Sequence, residues 1–310
     1  KELNTNFVFL RPLGLDLIRC DRNSPSIIAW SLGNEIGETS SQKGLTTVQN
    51  LVSWAKEIDT THPVTMGEDK FRMNRGTDSD WFIKVADCLD VVGMNYAEDN
   101  YDYYKSLRPD WKIYGSETSS AIKSRGYYSD PGKNAGAQYI NGVQLSSYDN
   151  LAVGWGKTAT NSWIPDRDRE WIGGQFIWTG FDYIGEPTPF NQSYDAKSKS
   201  SYFGIVDTAG FPKDDYYLYQ SQWLDVETDP MVHIFPHWNW EDESLRNLVT
   251  TNGTIPVRVY SNAPTVELVV TGSDGKVIER SEKSFHTLAN GYQQQSESSN
   301  RLYLQWDLEW

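Results

Sequence analysis

Basic charge, histidine, cysteine and long apolar runs are all scarce in this 310-residue chain. Lys and Arg number 28 against 42 Asp and Glu, leaving a formal charge of −14. A surface of that sign has little to hold a phosphate backbone or an anionic lipid, so neither a nucleic acid nor an anionic membrane is an expected partner. No apolar stretch approaches the roughly 18 residues a membrane helix needs, and mean hydropathy is −0.60, so no membrane insertion is expected. The four histidines, His62, His233, His237 and His286, include no HExxH pair, which argues against a zinc hydrolase. His62, in the loop Thr61-His62-Pro63, reads as structural. Cys20 and Cys88 form neither a CxxC pair nor a metal spacing and read as two small buried thiols. No glycine-rich phosphate loop is present. No signal peptide or initiator Met is seen, and the chain opens at Lys1-Glu2-Leu3, so the expectation is a fragment of a longer protein.

Aromatic residues are plentiful. Thirteen Trp, 18 Tyr and 11 Phe make up 14% of the chain. Sugar rings present C–H faces that stack on indole, and acidic side chains accept from sugar hydroxyls. The same aromatics could equally fill a core, so composition leaves carbohydrate handling and simple packing evenly balanced.

Short apolar runs alternate with amphipathic stretches. Ser26 to Leu32 reads as a buried strand between Pro25 and Gly33. Leu45, Val48, Leu51, Val52, Ala55 and Ile58 share one helical face that ends before Pro63. Strands are expected at Pro63 to Gly67, Asp90 to Tyr96, Lys112 to Ser116 and Gly173 to Trp178, with a helix over Asp80 to Leu89. A long polar segment with little periodicity separates Ser119 from Arg169. Strand–helix alternation implies parallel βαβ units. Without a dinucleotide-binding glycine pattern, the fit is to the later part of a (β/α)8 barrel, the first strands lying outside the chain.

Near residue 225 the texture changes, and helical periodicity vanishes. Ile255 to Tyr260, Val266 to Val270, Lys276 to Ile278 and Arg301 to Trp306 read as strands, with Ser273-Asp274-Gly275 as a hairpin turn. The expected fold class is therefore α/β: a partial TIM barrel over 1–225, then an all-β, immunoglobulin-like sandwich over 226–310, incomplete at Trp310. Ser193 to Ser201 reads as a Ser/Lys-rich surface loop, and Asn191-Gln192-Ser193 and Asn252-Gly253-Thr254 match glycosylation sequons of little weight.

In such a barrel, functional side chains stand at the C-terminal ends of strands. Successive predicted strands are followed by Asn34-Glu35, Tyr96, Glu117 and Trp178. A lone glutamate after a strand is often only a helix-start acid. Two, at the mouths of separate strands, fit a two-carboxylate glycosidase, and a separation of about 5–5.5 Å makes such a pair retaining.

Ser24-Pro25-Ser26-Ile27-Ile28-Ala29-Trp30-Ser31-Leu32-Gly33-Asn34-Glu35 resembles the acid/base signature of glycoside hydrolase family 2. Tyr114-Gly115-Ser116-Glu117-Thr118 resembles that family's nucleophile strand, and Phe176 to Pro189 resembles the eighth-strand segment of its multidomain bacterial β-galactosidase branch. The likeness runs over roughly residues 10 to 225. It implies Glu35 as general acid/base and Glu117 as nucleophile. It implies Asn34 on the sugar 2-hydroxyl, Tyr96 hydrogen-bonded to the nucleophile and Trp178 as the indole floor. Asp182 and Glu186 fall in the same stretch and are substrate-binding candidates without a particular role. Two neighbouring carboxyls resist ionising together. Glu117, helped by Tyr96, is expected to be the ionised member, with Glu35 holding its proton.

The resemblance thus implies a retaining exo-β-galactosidase acting on terminal galactose of an oligosaccharide or glycan. Within the family, a β-glucuronidase or β-mannosidase is the near alternative; outside it, a non-catalytic carbohydrate-binding module. No cofactor is certain. Mg²⁺ serves some relatives near the acid/base, although no oxygen cage is evident here. An extracellular or bacterial cell-surface location fits the branch. The rest of the polypeptide is expected to be needed for a complete site, because a barrel lacking strands exposes edges and core.

Overall fold

The structure is a computed structural model and describes residues 15–73, 75–130, 144–190 and 198–310. The Asn191 sequon and the first part of the Ser/Lys-rich stretch lie outside these residues. The chain forms two compact units. One comprises Lys1–Thr118 and Asp168–Phe176, the other Ser119–Arg167 and Ile177–Trp310.

Five strands stand in chain order in one sheet: β1 (Trp30–Asn34), β2 (Val64–Glu68), β3 (Val92–Asn95), β4 (Ile113–Ser119) and β5 (Ile172–Trp178). The β1–β2, β2–β3 and β3–β4 pairs are parallel. Helices connect them because apolar residues recur at helical spacing between strands. Gln42–Ile58 buries Val48 and Ala55 and is capped by the Ser41 hydroxyl, which accepts from Gly44 N. Trp30, Val64 and Ala55 meet in one cluster; Met66, Val48 and Val85 meet in another. A third gathers Phe71, Ile83, Met94, Tyr101, Tyr104 and Ile113. Alternation along each strand then turns Ser31, Thr65, Gly93 and Tyr114 to the opposite face.

That opposite face carries a cavity of about 640 Å³ lined by, among others, Ile28, Ser31, Thr65, Tyr114, Trp171 and Phe176. Ile28 is 73% exposed and Phe176 58%. The first strand therefore begins later than the apolar run suggests, at Trp30 rather than Ser26.

In the second unit, β6 (Val232–Phe235), β7 (Ile255–Ser261) and β11 (Leu304–Leu308) make one antiparallel sheet in the order β11-β7-β6. β8 (Thr265–Thr271), β9 (Val277–Thr287) and β10 (Gln293–Gln295) make another, in the order β10-β9-β8. Val259, Leu268, Phe285, Leu304 and Trp306 pack together as a core drawn from both sheets. The boundary expected at residue 225 falls inside this unit.

Three expectations are corrected. Helical structure does not vanish after 225, since Glu243–Val249 is a helix capped by Asp242, whose side chain accepts from Ser244 N. The polar segment beginning at Ser119 contains the helix Ala159–Arg167, whose buried residues include Thr160, Ser162, Asp166 and Arg167, so no apolar stripe announces it. Cys20 is an exposed thiol, while Cys88 is half-buried. His62 is structural as read: its Nδ1 lies 2.6 Å from Asp59 Oδ2, and that carboxylate also accepts from Trp30 Nε1 at 2.9 Å. No described helix is long and apolar enough to cross a membrane.

Candidate active site

Strand parity alone would place Asn34 and Glu117 badly. Side chains alternate faces, so once Ser31 and Tyr114 point to the inner face, Asn34 and Glu117 should point away from it. Each strand solves this with one extra residue. β1 advances from Ser31 to Asn34 while β2 advances only from Thr65 to Gly67. β4 advances from Gly115 to Glu117 while β3 advances only from Met94 to Asn95. Such bulges re-aim the side chains that follow them. Glu35 and Tyr96 then adopt left-handed backbone, with φ of 50° and 53°, a conformation that costs energy in a non-glycine residue and gathers at functional sites.

The result is one hydrogen-bonded network at the strand mouths. The Tyr96 hydroxyl donates to Glu117 Oε1 at 2.5 Å. Asn95 Nδ2 donates to Asn34 Oδ1 and to Glu35 Oε1, both at 2.9 Å. Ser116 Oγ donates to Asn95 Oδ1 at 2.5 Å. The Asn34 amide also stands near enough to the Glu117 carboxyl to favour its ionised form. Backbone bonds hold the frame: Glu35 N to Gly67 O at 2.9 Å and Tyr96 N to Glu117 O at 2.8 Å. Asn95 is fully buried and Tyr96 nearly so, whereas Asn34 and Glu35 are exposed.

Burial is the largest influence on Glu117 and pushes its carboxyl up from the ordinary value. The Tyr96 hydroxyl and the Asn34 amide pull it down; the charges of Glu35 and Asp69 push it up again. The sequence reading weighed only the pull of Tyr96 against Glu35. Desolvation outweighs that pull, and the net direction is upward. Asp69, just past β2, is a further acid near this mouth that sequence reading missed.

Glu68, also at the end of β2, is buried but spoken for. Thr39 Oγ1 donates to its Oε2 at 2.5 Å and Lys70 Nζ to its Oε1 at 2.8 Å. Among the described residues, no three His, Cys, Asp or Glu gather to hold a metal ion. No chemical step is assigned to Mg²⁺.

Of the expected residues, Asn34, Glu35, Tyr96 and Glu117 come together. Trp178, Asp182 and Glu186 belong to the other unit. There Trp178 packs, half-buried, on the cluster of Ile122, Leu145, Leu151, Phe190 and Phe203, and the Trp178–Thr179 peptide is cis. Asp182 is occupied by its own fold: Lys213 Nζ lies 2.7 Å from its Oδ2, and Gly204 N donates to its Oδ1 at 2.7 Å. Glu186 accepts from the Tyr183 hydroxyl and from Thr188 Oγ1. Asn95 and Ser116 were missed altogether. Their only sequence signal was position, one residue before Tyr96 and one before Glu117.

Parallel strands that deliver two carboxyls, an amide and a phenol to one rim define a glycosidase-type barrel mouth. Residues 15–227 match the family described as glycosyl hydrolases family 2, TIM barrel domain, and the chain belongs to that family. It is 36% identical over 313 residues to the β-galactosidase BoGH2A of Bacteroides ovatus, a match covering 87% of this chain and 34% of that protein. It is 30% identical over 285 residues to a putative β-glucuronidase of Formosa agariphila, covering 81% of this chain and 24% of that protein. Among solved structures, a β-glycosidase from Bacteroides vulgatus superimposes with a TM-score of 0.65 at 27% identity, over 95% of this chain and 35% of that one. The chain thus spans about a quarter to a third of the length of these curated relatives.

Proposed function

We propose that the protein is a retaining exo-β-galactosidase that removes terminal β-linked galactose from an oligosaccharide or glycan. The observation that carries this reading is the network at the strand mouths, in which Asn95 donates to both Glu35 and Asn34, and the Asn34 amide in turn acts on Glu117. In the first step a Glu117 oxygen attacks the anomeric carbon while Glu35 gives its proton to the departing glycosidic oxygen. Glu117 becomes a glycosyl ester and loses its charge. Glu35, now a carboxylate, takes a proton from water, and the resulting oxygen nucleophile releases galactose and restores Glu117. Tyr96 orients Glu117 and disperses its charge. Asn34 binds the 2-hydroxyl and strengthens that bond as positive charge develops at the anomeric carbon, which lowers the barrier rather than merely KM. Trp178 is retained as the sugar-stacking indole on the likeness of its motif.

The galactose assignment is supported by the likeness to BoGH2A. A β-glucuronidase is the second reading, because a relative carrying that name is also 30% identical. Hydrolysis of aryl β-galactoside, β-glucuronide and β-mannoside by the full-length polypeptide separates them. The first reading expects the galactoside to lead by kcat/KM; a leading glucuronide replaces it with the second. We further propose that other strands of the same polypeptide cover the inner face, where the 640 Å³ cavity and exposed Phe176 stand open. Residues 1–310 alone are then expected to lack turnover, and activity from that piece would overturn this part of the proposal.

A further inference from the structure

We propose that Asn95 and Ser116 are positioning residues: a one-way hydrogen-bond chain that fixes which end of the Asn34 amide faces Glu117 and keeps a donor on Glu35. This rests on the functional reading above and deepens it.

The chain has a single consistent polarity. The Ser116 hydroxyl donates to Asn95 Oδ1, which leaves the Asn95 amide nitrogen for the other side. Both of its hydrogens are then used, one on Asn34 Oδ1 and one on Glu35 Oε1. Because Asn34 accepts through its oxygen, its own nitrogen is left for Glu117. Rotating the Asn95 amide by half a turn would set its oxygen against Asn34 Oδ1 and, once Glu35 has given up its proton, against a carboxylate as well, three acceptors with no proton among them. Asn95 is wholly buried, so water does not replace it.

The backbone beneath is kept bare to make room. A Cβ on Gly67 would lie 2.5 Å from Asn34 Oδ1 and 3.0 Å from Asn95 Oδ1. A Cβ on Gly93 would lie 2.7 Å from Ser116 Oγ. Two neighbouring strands each place a residue without a side chain under the same chain of polar groups.

The arrangement acts on both halves of the reaction. Through Asn34 it holds the amide that meets the sugar and Glu117. Through Glu35 it offers a donor that is strongest when Glu35 is ionised, the form needed to take a proton from water. The other titratable groups around this mouth are Glu117 and Tyr96, together with Glu68, Asp69 and Lys70 at the end of β2.

The test uses Asn95→Ala, Ser116→Ala and the double variant in the full-length polypeptide, on an aryl β-galactoside across pH. Asn95→Ala is expected to lower kcat by about tenfold to a hundredfold with little change in KM, the range for losing a hydrogen bond to a charged group. It should also move the basic limb of the profile to higher pH, because the lost donor favoured only the carboxylate. Ser116→Ala should show the same pattern, weaker, and the double variant should match Asn95→Ala alone. A wild-type kcat and limb in Asn95→Ala, or effects of the two variants that add, overturn the inference. If Asn95→Ala does not fold, Ser116→Ala, which removes only a hydroxyl, carries the same reading of the limb. Glu117→Gln keeps the two failures apart. Full activity in it removes the two-carboxylate reading, whereas its inactivity beside an unaltered Asn95→Ala profile removes the positioning chain alone.

Discussion

The first unit sets Glu35 and Glu117 at its strand mouths with neutral hydrogen-bond donors; the second buries carboxylates against ammonium groups. In the second, Lys123 reaches Asp149 at 3.4 Å and is hydrogen-bonded to Asp215, and Lys213 reaches Asp182 at 2.7 Å. Asp149 also accepts from Ala159 N and Thr160 N at the start of the helix Ala159–Arg167. Burial pushes Lys213 down to about 8 even so, and its carboxylate partner pulls it back up. These ammonium–carboxylate contacts answer charge with charge, which is what a fold needs to tolerate ions out of water. At the strand mouths, Glu35 accepts from the Asn95 amide and Glu117 from the Tyr96 phenol, both neutral donors. A carboxyl left without a cation is poor for stability and useful for chemistry, since its proton and its charge stay available to a substrate.

The contrast can be broken from either side. The largest effect is expected at Glu117→Gln, where turnover should fall by about ten-thousandfold or more while sugar binding, read by titration calorimetry, survives. Unchanged turnover would take Glu117 out of the chemistry. Next comes Lys123→Met, which leaves Asp149 and Asp215 buried without their cation; a loss of about 3–5 kcal/mol in denaturant unfolding is expected. A loss below 1 kcal/mol would mean that the buried pairs are not structural. Gly67→Ala should be milder for the fold, costing about 1–3 kcal/mol, yet it drives a methyl into Asn34 and should lower kcat in the folded fraction. A variant with normal kcat would show that the mouth yields to the added atom.

The smallest effect is a pH effect. The Glu117 carboxyl is raised in the folded chain, so as pH climbs through the ordinary carboxylate range the unfolded chain releases this proton first. Over that window the folded state holds more protons, and stability falls as pH rises. Glu117→Gln has no such loss. It should therefore melt slightly higher than the parent at neutral pH, with the difference disappearing in acid. An equal or lower Tm at neutral pH would contradict the upward direction.

Much of the first unit was legible because its signals are local. An apolar helical face at Leu45 to Ile58, and strands ending in Asn34-Glu35 or Glu117, need only neighbours in sequence. The match of 15–227 to a family 2 barrel agrees with that reading. What stayed hidden depends on pairing across the chain. The bulges that turn Asn34 and Glu117 inward exist only relative to β2 and β3. Asn95 looks like an ordinary strand-end polar residue until its partners, 60 and 61 positions away, are known. The Lys123 cluster is invisible for the same reason, with Asp215 92 positions distant. Short elements failed differently: Val232–Phe235 has no repeating apolar alternation, and Glu243–Val249 buries only Val249.

The most direct measurement is covalent trapping. The full-length polypeptide, inactivated by a 2-deoxy-2-fluoro-β-galactosyl donor with a good leaving group, is digested and the modified peptide sequenced by mass spectrometry. A single fluorosugar ester on Glu117, with product released in the same anomeric configuration as substrate, is the predicted result. A label on another residue, or product of inverted configuration, would contradict the pairing of Glu35 with Glu117 on which the mechanism stands.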